Sequence, residues 1–86
     1  MISRIEVERI TDAFSQVETI LREVSDYYLT KEEIYARLPR DYEGVPYITI
    51  ASLENALRGL VRARLIEVGY VRGVRHFAYI NDRERG

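Results

Sequence analysis

The sequence predicts a small, mostly helical α+β domain, with three helices, the first extended at its N-terminus, followed by a two-stranded β-hairpin. Apolar side chains recur every three or four residues over three stretches, which is the period of a helix packed on a core. The last stretch alternates with period two around an Arg-Gly pair, which is typical of a hairpin. We expect residues 1–82 to form one domain with one modest core and residues 83–86 to form a polar tail.

The first helix is predicted from a row of apolar residues spaced by four and three. Ser3 and Glu6 have the spacing of a capping box, so the helix would start near residue 4 and run to about residue 27. A break at Thr11-Asp12, where either residue could cap a later start, is the alternative. The row consists of Ile10, Phe14, Val17, Leu21, Val24 and Tyr28.

A second apolar row on the same helix leaves two interpretations open. It consists of Ile2, Ala13, Ile20 and Tyr27, with Ile5 further round the helix. Either the helix buries a wide face within its own chain, or its N-terminal end, residues 1–11, packs on a second copy, because wide apolar patches on small proteins tend to be interfaces. On the second interpretation the dimer contacts are Ile2, Ile5, Ile20 and Tyr27.

The second helix is predicted to be short. Thr30 and Glu33 form another capping box, and Pro39 ends the helix after two turns, at residue 38. Its core-facing residues would be Leu29, Ile34 and Leu38. Residues 39–48 contain both prolines and a glycine, and we expect them to form a loop.

The third helix is predicted to begin at Thr49 and to end near Arg64, with Leu53 at the centre of its buried face. We expect Ile50, Ala56, Leu57, Leu60, Val61 and the stem of Arg64 on that buried side. The opposite side collects Ala51, Asn55, Arg58 and Arg62, flanked by Ser52 and Gly59. A glycine inside a helix costs about 1 kcal/mol relative to alanine. Gly59 is therefore either a defect or a place of close approach.

The C-terminal stretch is predicted to form an antiparallel hairpin. Ile66, Val68 and Tyr70 alternate in the first strand, Phe77 and Tyr79 in the second. Between the strands, Gly73 supplies the positive φ that a tight hairpin turn needs. His76 is the only histidine, and we expect it to be a structural or edge residue. Most tyrosines and phenylalanines should lie in the core, with Tyr42 and Tyr47 as the exceptions.

This order of elements resembles a winged helix-turn-helix domain of the MarR/PadR-like regulator type over roughly residues 12–80. The resemblance is carried by TKEEIYARL (30–38), SLENALRGLVRARLIEVGY (52–70) and HFAYI (76–80). Two features depart from the pattern. Arg64 stands where many relatives have glycine, and the segment 39–48 is longer than the usual turn between the two helices.

The resemblance implies sequence-specific binding of double-stranded DNA by a transcriptional regulator. The recognition helix, about residues 49–64, would enter the major groove, and the wing, residues 70–76, would reach the backbone or the minor groove. In this scheme Asn55 pairs with adenine, Arg58 with guanine, and Arg62 with a phosphate. Ser52 would bond a phosphate or a base, and the wing residues Arg72 and Arg75 would contact the backbone or minor groove. A homodimer would present two recognition helices to a pseudo-palindromic site.

The distribution of charge supports this interpretation, whereas the net charge supports an alternative. Residues 1–43 hold ten acids and six bases, and residues 44–86 hold four acids and seven bases. The total is −1, which argues against coating of nucleic acid through bulk positive charge. The alternative is a winged-helix module that binds another protein and has no DNA affinity.

Other function classes are disfavoured by the residues that the chain lacks. With one histidine, no cysteine and no Gly-rich phosphate loop, we expect no enzyme, no cofactor and no metal site. No apolar run approaches the roughly 20 residues of a membrane span, and the N-terminus lacks the apolar block of a signal peptide. We therefore expect a cytoplasmic protein that does not enter membranes.

Overall fold

Three helices followed by a two-stranded antiparallel hairpin make up residues 12–80, the part of the chain that the computed structural model describes. The elements are α1 (Ala13–Glu23), α2 (Lys31–Arg37), α3 (Ile50–Arg62), β1 (Ile66–Val71) and β2 (Val74–Tyr79). This order confirms the predicted α+β class with a C-terminal hairpin. The N-terminal extension 1–11, with its proposed Ser3–Glu6 capping box and with Ile2, Ile5 and Ile10, lies outside the described residues, as does the tail 83–86.

Helix α1 has its N-cap at Asp12, whose Oδ1 accepts the Ser15 N–H at 2.9 Å. This bond favours the charged carboxylate and lowers the pKa of Asp12. The predicted end near residue 27 is wrong, because the helix stops at Glu23. The chain must be extended by Leu29, whose backbone exchanges two hydrogen bonds of 2.8 Å with Phe77 in β2, and a helix that continued to residue 27 would leave too little chain for that change.

The buried side of α1 faces the chain's own core. Ile20, predicted as a dimer contact, is buried there beside Val17 and Leu21, so this part of the face is intramolecular. Tyr27, the other predicted contact within the described residues, is 68% exposed. Gln16 is also buried, and within residues 12–80 neither its amide nitrogen nor its amide oxygen has a hydrogen-bond partner.

Helix α2 confirms the predicted capping box in both directions. Thr30 Oγ1 accepts the Glu33 N–H at 3.1 Å, and Glu33 Oε1 accepts the Thr30 N–H at 2.9 Å. The latter bond lowers the pKa of Glu33. As predicted, Leu29, Ile34 and Leu38 are buried.

The loop 39–48 is a compact turn. Asp41 Oδ1 accepts the N–H groups of Glu43 and Val45 at 2.8 and 3.0 Å. Arg40 donates to the carbonyl oxygens of Gly44 and Tyr35, at 2.9 and 2.8 Å. These bonds close the loop on itself, so its extra length is absorbed locally.

Helix α3 is capped by Thr49, whose Oγ1 accepts the Ser52 N–H at 3.1 Å. The predicted core residues Leu53, Ala56, Leu57 and Leu60 are buried. Two predictions for this face are wrong, since Ile50 and Val61 are 52% and 36% exposed. Both are therefore partly open to solvent, and Val61 lines a groove beside the hairpin rather than the core. Something does approach Gly59: the Phe14 ring lies 3.5 Å from where a Cβ would stand.

The C-terminal end of α3 closes with hydrogen bonds of the Schellman type, from Arg64 N–H to Val61 O at 3.0 Å and from Leu65 N–H to Leu60 O at 3.0 Å. This motif places Arg64 at φ 60°, in the left-handed region where glycine is usual. Arg64 therefore adopts the glycine-like conformation despite its side chain. It is exposed, and the predicted burial of its stem is wrong.

The hairpin pairs Ile66 with Tyr79 at its base and Val71 with Val74 at its tip. Arg72 and Gly73, at φ 53° and 80°, form the two-residue turn, whose positive φ values match a type I′ turn. Helix α1 lies against α3 and β2, while β1 packs on α3. The hairpin is thereby fixed beside α3 by the shared core.

The aromatic residues are more exposed than predicted. Tyr27, Tyr28 and Tyr70 are exposed and Phe14 is 38% exposed, against the prediction, whereas Phe77 is buried. Tyr42 is exposed as predicted, and Tyr47 is half-buried. Among the described residues, none of the helices combines the length and apolar character needed to cross a membrane.

Candidate nucleic-acid interface

The outward side of α3 carries the polar residues that the sequence placed there. Asn55, Arg58 and Arg62 are exposed, as is Ala51 at the start of the helix. They lie opposite Leu53 and Leu57 because the helix repeats every 3.6 residues. The side chains on this face are free of the core.

A groove of about 540 Å³ runs between α3, the start of α2 and the hairpin, and we call it the front groove. Three of the predicted arginines line it, Arg58 and Arg62 from α3 and Arg75 from β2. The structure thus brings the helix and the hairpin together at one surface. The floor of the front groove is apolar and consists of Leu57, Val61, Val68, Val74 and Phe77.

Among the described residues, the guanidinium groups that line the front groove form no ion pairs with acids. Within residues 12–80 the ion pairs are Arg22–Glu18 at 3.0 Å and Lys31–Glu54 at 2.8 Å. The charge of Arg58, Arg62 and Arg75 is therefore not neutralised by direct contact with a carboxylate of this region.

Two of these arginines contact uncharged neighbours. Arg58 Nη2 donates to Asn55 Oδ1 at 2.8 Å, so the two residues predicted to read bases are joined to each other. The Arg75 guanidinium lies 5.9 Å from the centre of the Phe77 ring. Both contacts restrict the arginine side chains without cancelling their charge.

The Lys31–Glu54 pair was not predicted, and it lies in the front groove. The hydrogen bond from Lys31 lowers the pKa of the Glu54 carboxyl, and the charges of Arg58 and Arg75 lower it further. The same bond raises the pKa of Lys31. Both groups are therefore charged at neutral pH. No local spacing in the sequence points to this pair, because Lys31 and Glu54 stand 23 residues apart.

Two predicted contact residues lie away from the front groove. The Ser52 hydroxyl accepts a hydrogen bond from Thr49 Oγ1 at 3.1 Å and is part of the N-cap of α3. Arg72 is exposed at the hairpin tip, beyond the groove lining.

The opposite side of the hairpin carries a smaller hollow of about 240 Å³, which we call the back pocket. The Tyr28 hydroxyl donates to Glu67 Oε1 at 2.5 Å, and the Arg22 guanidinium lies 5.5 Å from the Tyr79 ring centre. The pocket is lined by Ser25, Asp26, Tyr27, Tyr28, Glu67, Ala78, Tyr79 and Ile80.

His76 bonds locally, with Nδ1 2.9 Å from Val74 O, in agreement with the structural role predicted for it. Among residues 12–80, no group of three or more His, Cys, Asp or Glu side chains is placed to hold a metal ion.

Comparison with known proteins gave no match to a protein family model, to a curated protein or to a solved structure.

Proposed function

We propose that this chain is a sequence-specific double-stranded DNA-binding protein, a transcription regulator of the winged-helix type. The observation that carries the proposal is the front groove, where Arg58 and Arg62 on α3 meet Arg75 on the hairpin without a carboxylate paired to them in residues 12–80. Three helices and a hairpin in this order are also what a winged helix requires.

In the proposed complex α3 is the recognition helix. Its outward side enters the major groove, which is about 12 Å wide and admits a helix. Arg58 pairs with guanine and Asn55 with adenine. Their mutual hydrogen bond uses one of the five guanidinium N–H donors and one acceptor site of the amide, so both groups keep donors for base edges.

The remaining arginines contact phosphates. Arg62 lies one turn beyond Arg58 on α3, and Arg75 and Arg72 extend the surface along the hairpin to its tip. Phosphate contacts release condensed counterions, so affinity should fall steeply as salt rises, with a slope of roughly −0.9 per phosphate neutralised.

The test is a gel-shift titration with genomic DNA fragments at several salt concentrations. We expect binding that weakens steeply as salt rises. Arg72→Ala should lower the affinity for all sequences alike and reduce the salt slope by about 1. A salt-independent or absent shift would contradict the proposal.

The proposed protein acts as a homodimer that binds two half-sites about 34 Å apart on a pseudo-palindromic operator. Exposed Tyr27 and the N-terminal residues Ile2 and Ile5 are the proposed contacts. Light scattering should give about twice the chain mass of 10.1 kDa. A clean monomer at micromolar concentration would remove the dimer from the proposal and leave the DNA-binding surface untouched.

A second candidate function is a winged-helix module that binds another protein. The net charge of −1 favours it, and so does the apolar floor of the front groove, where Val61 and Val74 are 36% and 50% exposed. DNA binding does not require an apolar floor. Absence of any DNA shift at low salt would favour this module.

A further inference from the structure

Glu54 is one of the two acids, with Glu32, that line the front groove among its four cationic side chains. It stands on α3 next to Asn55 and one turn before Arg58, and its side chain lines the front groove. Lys31 Nζ holds its Oε2 at 2.8 Å, and the side chain remains 46% exposed. The proposed phosphate contacts do not explain why an acid stands at this position.

The charge of Glu54 is maintained by its neighbours. Lys31 bonds it directly, and Arg58 and Arg75 add their positive fields, so its pKa lies below the ordinary 4.5. The carboxylate therefore meets any ligand of the groove in its charged form.

A fixed negative charge at this position opposes binding of phosphates whatever the DNA sequence, because like charges repel. The opposition is offset only where the DNA offers a hydrogen-bond donor. In the major groove, cytosine N4 is the donor with which Glu and Asp side chains pair. Lys31 uses Oε2, and a carboxylate has about four acceptor sites over its two oxygens, so capacity remains for a base.

We infer that Glu54 is a specificity-determining residue that accepts a hydrogen bond from a cytosine amino group and disfavours other bases at that position. Lys31 is its positioning residue, since the 2.8 Å bond joins the start of α2 to the recognition helix and restricts the carboxylate. This inference rests on the proposed DNA-binding function. It adds a third base-reading residue to Asn55 and Arg58.

The experiment begins with selection of a preferred duplex from a random-sequence library with the unaltered protein. Affinities are then measured for that duplex and for each of its single base-pair replacements. The proteins compared are the unaltered chain, Glu54→Gln and the matched control Glu32→Gln. Glu32 also lines the front groove, but it belongs to α2, so its replacement removes the same charge without touching the recognition helix.

We expect the unaltered protein to lose about 10-fold in affinity when one particular cytosine is replaced. Glu54→Gln should lose this preference for cytosine, because a glutamine amide pairs with adenine instead. Glu54→Gln should also bind unrelated DNA more tightly. Glu32→Gln should keep the cytosine preference. Lys31→Ala should weaken the preference at the same base pair, and Lys31→Arg should restore it, because arginine keeps the ion pair.

Two results would overturn the inference about Glu54, and only the second of them would also overturn the proposed function. If a duplex is selected but Glu54→Gln keeps every base preference, Glu54 reads no base and the proposed function stands. If no duplex is enriched at low salt, the proposed function fails and this inference fails with it.

Discussion

The two sides of the hairpin are built from the same strands but carry opposite chemistry. Val68 and Phe77 are cross-strand partners and face the front groove with its arginines, whereas the adjacent partners Glu67 and Ala78 face the back pocket with its tyrosines. The difference arises because successive side chains of a strand point to opposite faces. A net charge of −1 thus averages over two unlike surfaces and predicts neither of them.

The charged side chains on the two sides of the hairpin differ in their partners. On the front, Arg58 donates to Asn55 and Arg75 lies over the Phe77 ring. Both neighbours are uncharged, so neither contact neutralises the arginine. On the back, the Glu67 carboxylate is engaged by the Tyr28 hydroxyl and Arg22 is engaged by Glu18. Within residues 12–80, the arginines of the front groove are therefore unpaired with acids, whereas Glu67 and Arg22 each have a polar partner.

The largest effect is expected from a residue on which both surfaces rest. Phe77→Ala removes a buried ring from the core and from the groove floor, and should lower the free energy of unfolding by about 3–5 kcal/mol. Val74→Ala, on the same strand but half exposed, is the control and should cost far less. Urea unfolding measures both. Equal small losses would mean that the hairpin is not held by this core.

Replacing an arginine of the front groove should change DNA recognition, whereas replacing an arginine on the back of the hairpin should not. Arg58→Ala should reduce discrimination at one base pair by about 1–3 kcal/mol, since the proposed bidentate guanine contact is lost. Arg22→Ala removes a cation from the back and should leave affinity and preference unchanged. Competition gel shifts with base-substituted duplexes measure both variants. Equal effects would show that the front groove is not the reading surface.

The end of α3 sets the direction in which β1 leaves the helix and hence the shape of the front groove. Because Arg64 has a positive φ, Arg64→Gly should be more stable than Arg64→Ala by about 1 kcal/mol. Both variants remove the same side chain, so their difference in urea unfolding isolates the backbone conformation. If alanine were as stable as glycine, the left-handed conformation would not be strained.

The smallest effect concerns the back pocket. Tyr28→Phe should lower stability by about 0.5–1 kcal/mol at neutral pH through loss of the bond to Glu67, without changing DNA affinity. That bond raises the pKa of Tyr28 above the ordinary 10.0. The protonated phenol is the stabilising form, so its contribution is present below pH 10 and is lost as the pH rises through the folded-state pKa. The unfolding temperatures of the unaltered protein and Tyr28→Phe, measured from pH 7 to 11, should converge as the pH rises. A constant difference in unfolding temperature would contradict this account.

Much of the fold followed from local patterns. The capping box of Thr30 and Glu33 and the turn at Gly73 were predicted correctly, because each depends on residues close in sequence. The end of α1 was predicted too late, because it is decided by Leu29 pairing with Phe77 across the chain. Burial of Ile50 and Val61 was predicted wrongly for a similar reason, since the helical period gives a direction but not the width of what packs there.

The candidate site also contains residues that local spacing placed correctly and residues that only tertiary contacts brought together. The sequence determined by itself that Asn55, Arg58 and Arg62 share the outward side of a helix, because helical geometry relates residues three and four positions apart. Only the tertiary structure decided that Arg75 and Lys31 come to that helix and that Glu54 is paired there. Those contacts join residues far apart in the chain, and their placement is determined by the shared core rather than by any local spacing.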